Sequence, residues 1–277
     1  MVNIIDKIGY WTEIKLDILK EYVRAYSTIL AAQRRPNLEH VYIDAFAGTG
    51  IHLSKTTGKL VPGSPLNAIN IKPQFTNYYF IDIENIKVKV LLEISKQKPE
   101  VKVFEGDCNK ILLDKVFPNV RYKNYRRGLC LLDPYGLHLD WTVIEKAGKM
   151  KSIEIFLNFP IADMHRNVLR KNPKDIDIKQ KERMNRFWGD ESWYDIVYVT
   201  NGNLFGYNEK IKNVNDKISE AYRKRLKKTA GFSHVPKPIP MRNSKGNIIY
   251  YLFFASPKPV AKKIVEDIFK KYKNKGL

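Results

Sequence analysis

The stretch Val41–Gly50 reads VYIDAFAGTG and is the clearest indication of the fold, because an apolar run ends in an acid and then enters a glycine loop. The apolar run predicts a buried strand that carries Asp44 to its carboxyl end. Gly48 and Gly50 let a ligand approach the backbone closely, since neither residue has a Cβ atom. A helix is expected to begin near Pro65. The order strand, glycine loop, helix is typical of nucleotide-binding α/β domains.

The acid in this loop also indicates the kind of ligand that the loop holds. A phosphate cradle favours a lysine and the motif GK[ST], whereas this loop contains an acid and lacks that motif. The Asp44 carboxylate suits a ligand with a positive amine, such as the methionine half of S-adenosylmethionine. We therefore assign Asp44, Phe46, Gly48 and Gly50 to a predicted cofactor site. A tight turn that binds no ligand is the alternative interpretation.

Two further apolar runs end in acids that fit the same cofactor. Residues Tyr78–Glu84 read YYFIDIE and bring Asp82 to a strand end, where a carboxylate can bridge ribose hydroxyls. Residues Val101–Asp107 read VKVFEGD, and Asp107 ends the run where an adenine amino group can be recognised. Either acid can instead cap the helix that follows it. Repeated acid-ended strands favour a Rossmann-like cofactor domain.

The run Leu129–Gly136, LCLLDPYG, supplies the predicted catalytic residues. The Asp133 carboxylate can accept a hydrogen bond from a target amine, and Pro134 leaves its carbonyl free as a second acceptor. The ring of Tyr135 can stack on a target base, and Phe159 is a second candidate for that stacking. The alternative is a simple turn after a buried strand.

The charge of the chain predicts a polyanionic partner. It carries 49 lysines and arginines against 29 acids, a formal net charge of +20. Basic residues are concentrated in segments 121–127 and 208–237 and in the C-terminal tail. We expect a nucleic acid, DNA or RNA, held through its phosphates. The predicted substrate-binding residues in these segments are Arg126, Arg127, Arg223 and Arg225. A set of solvated helix faces is the alternative.

Other features of the composition limit the possible functions. The length of 277 residues fits one enlarged α/β domain, and no apolar run approaches the ~18 residues of a membrane span. The N-terminus lacks a secretory signal pattern. Two cysteines, and five histidines without ligand spacing, predict no metal and a reduced, cytoplasmic protein. Cys108 and Cys130 are poor candidates for a nucleophile, because neither follows a proline and Cys130 lies in a buried strand.

Alternating elements along the chain predict a mostly parallel sheet in a single domain. Strands are expected at 41–45, 78–82, 101–104, 128–132 and 153–158. Helices are expected at 11–34, from Pro65, and at 85–97, 141–149, 214–229 and 259–273. Segments 235–242 and 247–255 predict a C-terminal antiparallel hairpin. A long loop is expected over 51–63, and residues 161–192 predict an irregular, basic, substrate-binding insertion.

Several segments together resemble the three-Cys-motif partner family. They are IDAFAGTG, GSPLNAI, YFIDIE, LLDPYGLHLDW, FLNFP, FWG and GNIIYYLFFAS, which span nearly the whole chain. The resemblance implies a class I methyltransferase fold with a seven-stranded sheet, and a link to a three-Cys-motif protein of the radical-SAM type. By position, Asp44, Gly48 and Gly50 match the first cofactor motif, Asp82 the ribose-binding acid and Asp107 the adenine side.

The resemblance also bears on the reaction. Asp133-Pro134-Tyr135 resembles the Asp-Pro-Pro-Tyr motif of nucleic-acid amino-methyltransferases, although the second proline is missing. The sequence therefore predicts an S-adenosylmethionine-dependent methyltransferase that acts on a base amine by direct in-line transfer. A non-catalytic nucleic-acid-binding partner subunit with the same fold is one alternative. A metal-dependent nuclease is the other, because acids followed by basic residues can bind a divalent ion.

Overall fold

The computed structural model describes residues 5–33, 37–200, 208–210, 212–243 and 245–273. The helices in these ranges are α1 (Tyr10–Ala31), α2 (Ser64–Ile69), α3 (Asn85–Ser95), α4 (Cys108–Ile111), α5 (Trp141–Met150), α6 (Ile161–Asn167), α7 (Ile178–Trp188), α8 (Trp193–Val197), α9 (Val214–Lys228) and α10 (Pro259–Tyr272). Short helical turns lie at Leu112–Val116, Phe117–Asn119, Tyr122–Asn124 and Pro173–Asp175. Within the described ranges, none of the helices is long and apolar enough to cross a membrane.

The strands are β1 (Asp6–Ile8), β2 (Glu39–Asp44), β3 (Ile51–Ser54), β4 (Leu60–Pro62), β5 (Asn77–Asp82), β6 (Val101–Glu105), β7 (Arg126–Leu132), β8 (Ile153–Phe159), β9 (Tyr198–Thr200), β10 (Asn208–Lys210), β11 (Ile239–Arg242) and β12 (Ile248–Ala255). Seven of them form one sheet in the order β11-β12-β8-β7-β2-β5-β6. Strands β2, β5, β6, β7 and β8 are parallel, and β12 runs antiparallel to both β8 and β11. This confirms the predicted α/β fold with a mostly parallel seven-stranded sheet.

The strand order reverses between β2 and β7, which fixes where a ligand is expected. The chain runs outward from β2 to β5 and β6, then returns to β7 on the other side of β2. In open α/β sheets the crevice at such a reversal, beyond the carboxyl ends of the strands, is the usual ligand site. Asp44 is paired in register with Leu131, so Asp133 follows the neighbouring strand at this crevice.

Helices cover both faces of the sheet, so the sheet separates the apolar core into two clusters. Val41 and Ile43 of β2 belong to the cluster beneath α5, α7 and α9, while Tyr42 belongs to the cluster beneath α1 and α10. Successive side chains of a strand point to opposite faces, so a strand buried on both faces is apolar throughout. This explains why the central strands appear in the sequence as continuous apolar runs.

Helix α1, which the sequence predicts at 11–34, packs against the sheet by an apolar stripe. Ile18, Tyr22 and Tyr26 are buried against the sheet, whereas Ile29 near the end of the helix is exposed. The helix ends at Ala31 rather than at residue 34. Lys15 lies in the same stripe and is buried as well. A lysine at a core-facing helical position requires a partner, because an unpaired buried charge is costly.

The predicted loop 51–63 is instead a hairpin. Strands β3 and β4 pair antiparallel, and β3 also pairs in parallel with β1, which makes a small three-stranded sheet. Gly58 has a φ of +68° in the turn between them. The long-loop prediction is therefore wrong, because a short strand pair with a glycine turn was not recognised. The hairpin stands beside the glycine loop and forms one wall of the crevice.

The segment 161–192 is helical rather than irregular. It contains α6 and α7, and the Asp177 carboxylate caps α7 by accepting bonds from the backbone N–H groups of Lys179 and Gln180, at 3.0 and 3.2 Å. The side chains of Phe187 and Trp188 are buried in the core. The expectation of an irregular insertion is corrected, because the amphipathic pattern of α7 was missed. Residues 193–200 contain α8 followed by β9.

Candidate functional site

The glycine loop after β2 is fastened to the end of β5. Gly48 adopts a φ of +64° and its N–H donates to Asp82 Oδ2 at 2.8 Å, while Asp82 Oδ1 accepts from the N–H of Glu84 at 2.9 Å. The space where a Cβ atom of Gly48 would lie is open, whereas Gly50 faces Leu66 and Ile94. Gly48 is thus the glycine over which a ligand can approach the backbone.

Asp44 lies beneath this loop and does not face the crevice. Its carboxylate is wholly buried, with Tyr42 Oη 3.5 Å from Oδ2 and the Phe46 nitrogen 3.4 Å from Oδ1. Burial raises the pKa of Asp44 to about 7, against the opposing hydrogen bond from Ser64. Asp44 lines neither of the two cavities described next. Its predicted direct contact with a ligand amine is corrected to support of the loop.

One cavity of about 500 Å³, the acidic cavity, opens beyond the ends of β2, β5 and β6. Its wall includes the exposed apolar side chain of Ile83. It also includes four acids: Asp82, Glu84, Asp107 and Asp140. Asp107 also caps α4, because Oδ1 accepts from the N–H of Asn109 at 2.8 Å. Asp107 can therefore cap α4 and also accept a hydrogen bond from an adenine amino group, since a carboxylate oxygen has more than one lone pair.

A second cavity of about 480 Å³, the central cavity, lies at the reversal of strand order. Its lining includes Gly48, Asp133, Pro134 and Asn158. It shares three wall residues with the acidic cavity: Phe46, Asp82 and Tyr135. The two cavities are therefore contiguous, and the glycine loop and the Asp-Pro-Tyr motif face the same space.

Asp133 is held from two sides. Lys15 of α1 forms an ion pair with Oδ2, and Asn158 Nδ2 of β8 donates to Oδ1 at 2.6 Å. The Lys15 side chain is 7% exposed and the Asp133 side chain 28%. Burial works to lower the pKa of Lys15, but the negative charge of Asp133 and its hydrogen bond to the ammonium group outweigh burial and raise that pKa above its ordinary value. Lys15 therefore stays charged, and the carboxylate keeps a fixed orientation.

Neither Lys15 nor Asn158 was predicted as a site residue. The signal for Lys15 was available, because position 15 falls in the apolar stripe with Trp11, Ile18 and Tyr22. The signal for Asn158 was a polar residue near the carboxyl end of a strand, after the apolar run Ile155–Leu157.

The remaining residues of the motif differ in exposure. Pro134 is buried, whereas Tyr135 is 66% exposed at the boundary of the two cavities. The ammonium group of Lys87 lies 5.4 Å from the centroid of the Tyr135 ring, and Lys87 also pairs with Glu84 at 2.7 Å. Tyr135 thus offers a ring face to a ligand beside Asp133.

Phe159 cannot stack a base. Its ring is wholly buried among Phe187, Tyr222 and Phe253, at centroid distances of 5.7, 4.8 and 5.4 Å. Alternation along β8 turns Asn158 toward the cavity and the next residue into the core. The prediction that Phe159 binds substrate is therefore wrong.

Arg126 and Arg127 lie at the opposite edge of the sheet. They begin β7, whereas the crevice follows its carboxyl end, about 20 Å away for a strand of this length. Arg126 pairs with Glu39 at 2.6 Å, and the Arg127 guanidinium stacks 3.6 Å from the centroid of Tyr122. Their predicted contact with a substrate at Asp133 is wrong, because adjacency in sequence did not reveal which strand end they occupy.

Arg223 and Arg225 of α9 are engaged inside the protein. Arg223 forms two bonds of 2.7 Å to Glu220, and Arg225 pairs with Asp190 at 2.9 Å. Their side chains are 19% and 16% exposed. Arg225 also lies over the ring of Trp141 at 4.9 Å. These arginines hold α9 to its neighbours, which corrects their predicted role in substrate binding.

Metal and thiol chemistry find little support in the described ranges. No group of three or more histidine, cysteine or acidic side chains is placed to hold a metal ion there. Burial raises the pKa of the Cys108 thiol to about 12, and burial also raises that of Cys130. A thiol of high pKa is a weak nucleophile, because the thiolate is the reactive form.

Comparison with known proteins identifies no family. No family model matches the chain, and no curated protein matches it. Protein LPL1258 of Legionella pneumophila, described as family DUF519, is 15% identical with a TM-score of 0.48, over 94% of this chain and 93% of that one. Membership of the three-Cys-motif partner family therefore stays a prediction.

Two further structures also match most of this chain. A DUF574 family protein of Streptomyces avermitilis is 10% identical with a TM-score of 0.39, over 87% of this chain and 83% of that one. The N-terminal domain of EvdMO1, crystallised in the presence of SAH and D-fucose, is 9% identical with a TM-score of 0.40 over the same shares. With TM-scores below 0.5, none of these likenesses carries a functional argument.

Proposed function

We propose that the protein is an S-adenosylmethionine-dependent methyltransferase that acts on an amine of a nucleic-acid base. The observation that supports this most is the meeting of the glycine loop, the acidic cavity and Asp133 at the reversal of strand order. Ligands of open α/β sheets bind at this place. Within the described ranges, no cluster of potential metal ligands supports the nuclease alternative.

The residues of the acidic cavity fit an adenosine group. Ribose hydroxyls and the adenine amino group are hydrogen-bond donors, and Asp82 and Asp107 present acceptors to them. Ile83 is 71% exposed in the same wall and offers an apolar contact for the ring. The positive charge of a sulfonium group is favoured beside carboxylates. When bound, the cofactor supplies an electrophilic methyl group.

The protein's own residues would position the amine. Asp133 retains lone pairs after its bonds to Lys15 and Asn158, so it can accept an N–H of the target. The carbonyl of Pro134 is a second acceptor, and Tyr135 offers a stacking face. A fixed carboxylate lowers the entropic cost of orienting the amine, which is how proximity accelerates a transfer.

The net charge of the whole chain, +20, supports a polyanionic substrate. The lining of the central cavity itself is mixed, with the cations Lys7, Lys15 and Arg166 beside four acids. A basic protein surface raises the local concentration of an anionic substrate. The proposed link to a three-Cys-motif protein of the radical-SAM type rests on sequence resemblance alone.

Methyl transfer from labelled cofactor to DNA and RNA pools tests the proposal. The wild type is expected to label one pool, and Asp133→Asn to bind S-adenosylhomocysteine but transfer no label. Full activity of Asp133→Asn would remove Asp133 from the reaction. Cofactor binding without transfer by the wild type would favour the non-catalytic partner subunit, to which the missing second proline also points.

A further inference from the structure

A third, open cavity continues from the central cavity on the side away from the acidic cavity. It measures about 860 Å³ and lies between the start of α1, the β3–β4 turn and the β11–β12 hairpin. It shares Thr12, Ile249 and Tyr250 with the central cavity, so the two spaces are contiguous. We call it the basic groove, because its lining contains Lys55 and Arg242 and no acid.

The two ends of the crevice therefore differ in charge. The acidic cavity has four carboxylates and a single arginine, Arg186, in its lining, while the basic groove has two cations and three aromatic residues. A polyanion is repelled from the first and attracted to the second. The cofactor and a nucleic acid would thus approach Asp133 from opposite sides.

The aromatic residues of the basic groove are Tyr10, Trp11 and Tyr250. Tyr10 is 42% exposed and packs edge-to-face on Trp11, at a centroid distance of 5.8 Å and an angle of 77°. The Tyr10 ring is therefore packed against Trp11 and still partly exposed to a ligand. Exposed rings beside cations are the usual platform for unpaired bases, which stack on them with little preference for sequence.

The cations can reach a phosphate backbone. Lys55 is exposed on the β3–β4 turn, and its side chain forms no ion pair with any residue in the described ranges. Arg242 Nη1 donates to the carbonyl of Gly246 at 2.7 Å, which orients the guanidinium and leaves its other donors available. The two cations lie on different hairpins, Lys55 on β3–β4 and Arg242 on β11–β12.

Tyr250 connects this groove to the proposed reaction site. Its ring lines both the groove and the central cavity, and the Lys15 ammonium group lies 5.7 Å from its centroid. Lys15 in turn holds Asp133. A nucleic-acid strand lying in the groove would therefore run toward the cavity that contains the Asp133 carboxylate.

We propose that the basic groove binds the nucleotides that flank the target base, in a single-stranded nucleic acid. Tyr10 stacks one flanking base, and Lys55 and Arg242 contact phosphates. A duplex does not fit this arrangement, because its bases are already paired and stacked. The inference rests on the proposed function, since it takes the target amine to lie at Asp133.

Binding of labelled DNA and RNA oligonucleotides of about 16 nucleotides, single-stranded and duplex, tests the inference. Lys55→Glu and Arg242→Glu are each expected to weaken single-strand binding about tenfold and to lower the salt slope by about one. Tyr10→Ala is expected to weaken it about 5- to 100-fold. Lys123→Glu, an equal charge reversal on the opposite sheet edge, is the matched control and should bind as the wild type does.

Comparison of the DNA and RNA oligonucleotides shows which nucleic acid the groove prefers, and a preference for either single strand supports the proposal. Unchanged binding in all three groove variants overturns it, as does a wild type that prefers the duplex. A groove that binds poly-glutamate as tightly as the oligonucleotides would indicate an acidic polypeptide instead. S-adenosylhomocysteine binding is measured in parallel. If the wild type does not bind it, the proposed function is wrong. If the wild type binds it but the groove variants bind oligonucleotides as the wild type does, only the proposal for the basic groove is wrong.

Discussion

Lys15 on the first helix forms an ion pair with Asp133, which lies 118 residues further along the chain, directly after β7. The pair links the packing of α1 to the orientation of the carboxylate at the proposed reaction site. It also joins two partners of unequal burial, since Lys15 is almost enclosed and Asp133 is partly exposed.

Because Lys15 is more deeply buried than Asp133, we expect replacement of Asp133 to cost more stability than replacement of Lys15. Asp133→Asn leaves a buried ammonium group unpaired, so we expect it to lower the free energy of unfolding by about 3 kcal/mol. Lys15→Met leaves a carboxylate that water can reach, and we expect a loss of about 1 kcal/mol. Urea denaturation of both variants measures the difference.

The double variant Lys15→Met/Asp133→Asn completes the cycle. We expect it to be more stable than Asp133→Asn alone, because no unpaired charge remains buried. Equal losses for the two single variants, or strict additivity in the double, would contradict the paired arrangement.

Packing of α5 makes a prediction about Gly148. A Cβ atom at this position would lie 2.1 Å from the backbone oxygen of Ala230. Gly148→Ala is therefore expected to destabilise the fold by about 1–3 kcal/mol, although alanine is the better helix former. Thermal unfolding tests this, with Gly9→Ala as the control, because no atom lies within 4 Å of that added Cβ. A stabilised Gly148→Ala would show that α5 packs elsewhere.

A buried carboxylate away from the site predicts a pH dependence. Burial raises the pKa of Glu154 to about 7, against hydrogen bonds from Tyr22 and Ser256. Between about pH 4.5 and 7 the unfolded chain releases this proton while the folded chain keeps it, so the Glu154 contribution to stability falls as pH rises. Above pH 7 that contribution is constant.

Glu154→Gln removes this titration. Relative to the wild type, the variant should gain up to about 3 kcal/mol of stability between pH 4 and pH 8. Denaturation midpoints of both proteins at the two pH values provide the test. A difference that stays constant with pH would mean that Glu154 titrates normally in the folded state.

Much of the sheet was predictable, because strands buried on both faces appear as apolar runs that end in polar residues. The runs before Asp44, Asp82 and Asp133 are three such strands, and their parallel order brought those acids to one edge. The β3–β4 hairpin was missed because strands of four and three residues carry almost no periodic signal.

The site was only partly predictable, since contacts between distant residues leave no local pattern. Arg126 and Arg127 begin the strand that Asp133 follows, so the full length of β7 separates them from Asp133 in space. Lys15 and Tyr10 lie far from the motifs in sequence, and the crossing of α1 over the sheet brings them to the crevice. Tertiary packing, which the sequence pattern does not specify, decides such neighbours.

Calorimetric titration of S-adenosylhomocysteine into the wild type, Gly48→Val and Gly58→Val tests directly whether the glycine loop after β2 binds the cofactor. Both glycines have φ near +65° and open space at the Cβ position, so both variants bear a similar backbone strain. Only Gly48 lies at the cavities. We predict micromolar binding to the wild type and Gly58→Val, and its loss in Gly48→Val. Absence of binding to the wild type, or unchanged affinity in Gly48→Val, would contradict the assignment of the glycine loop.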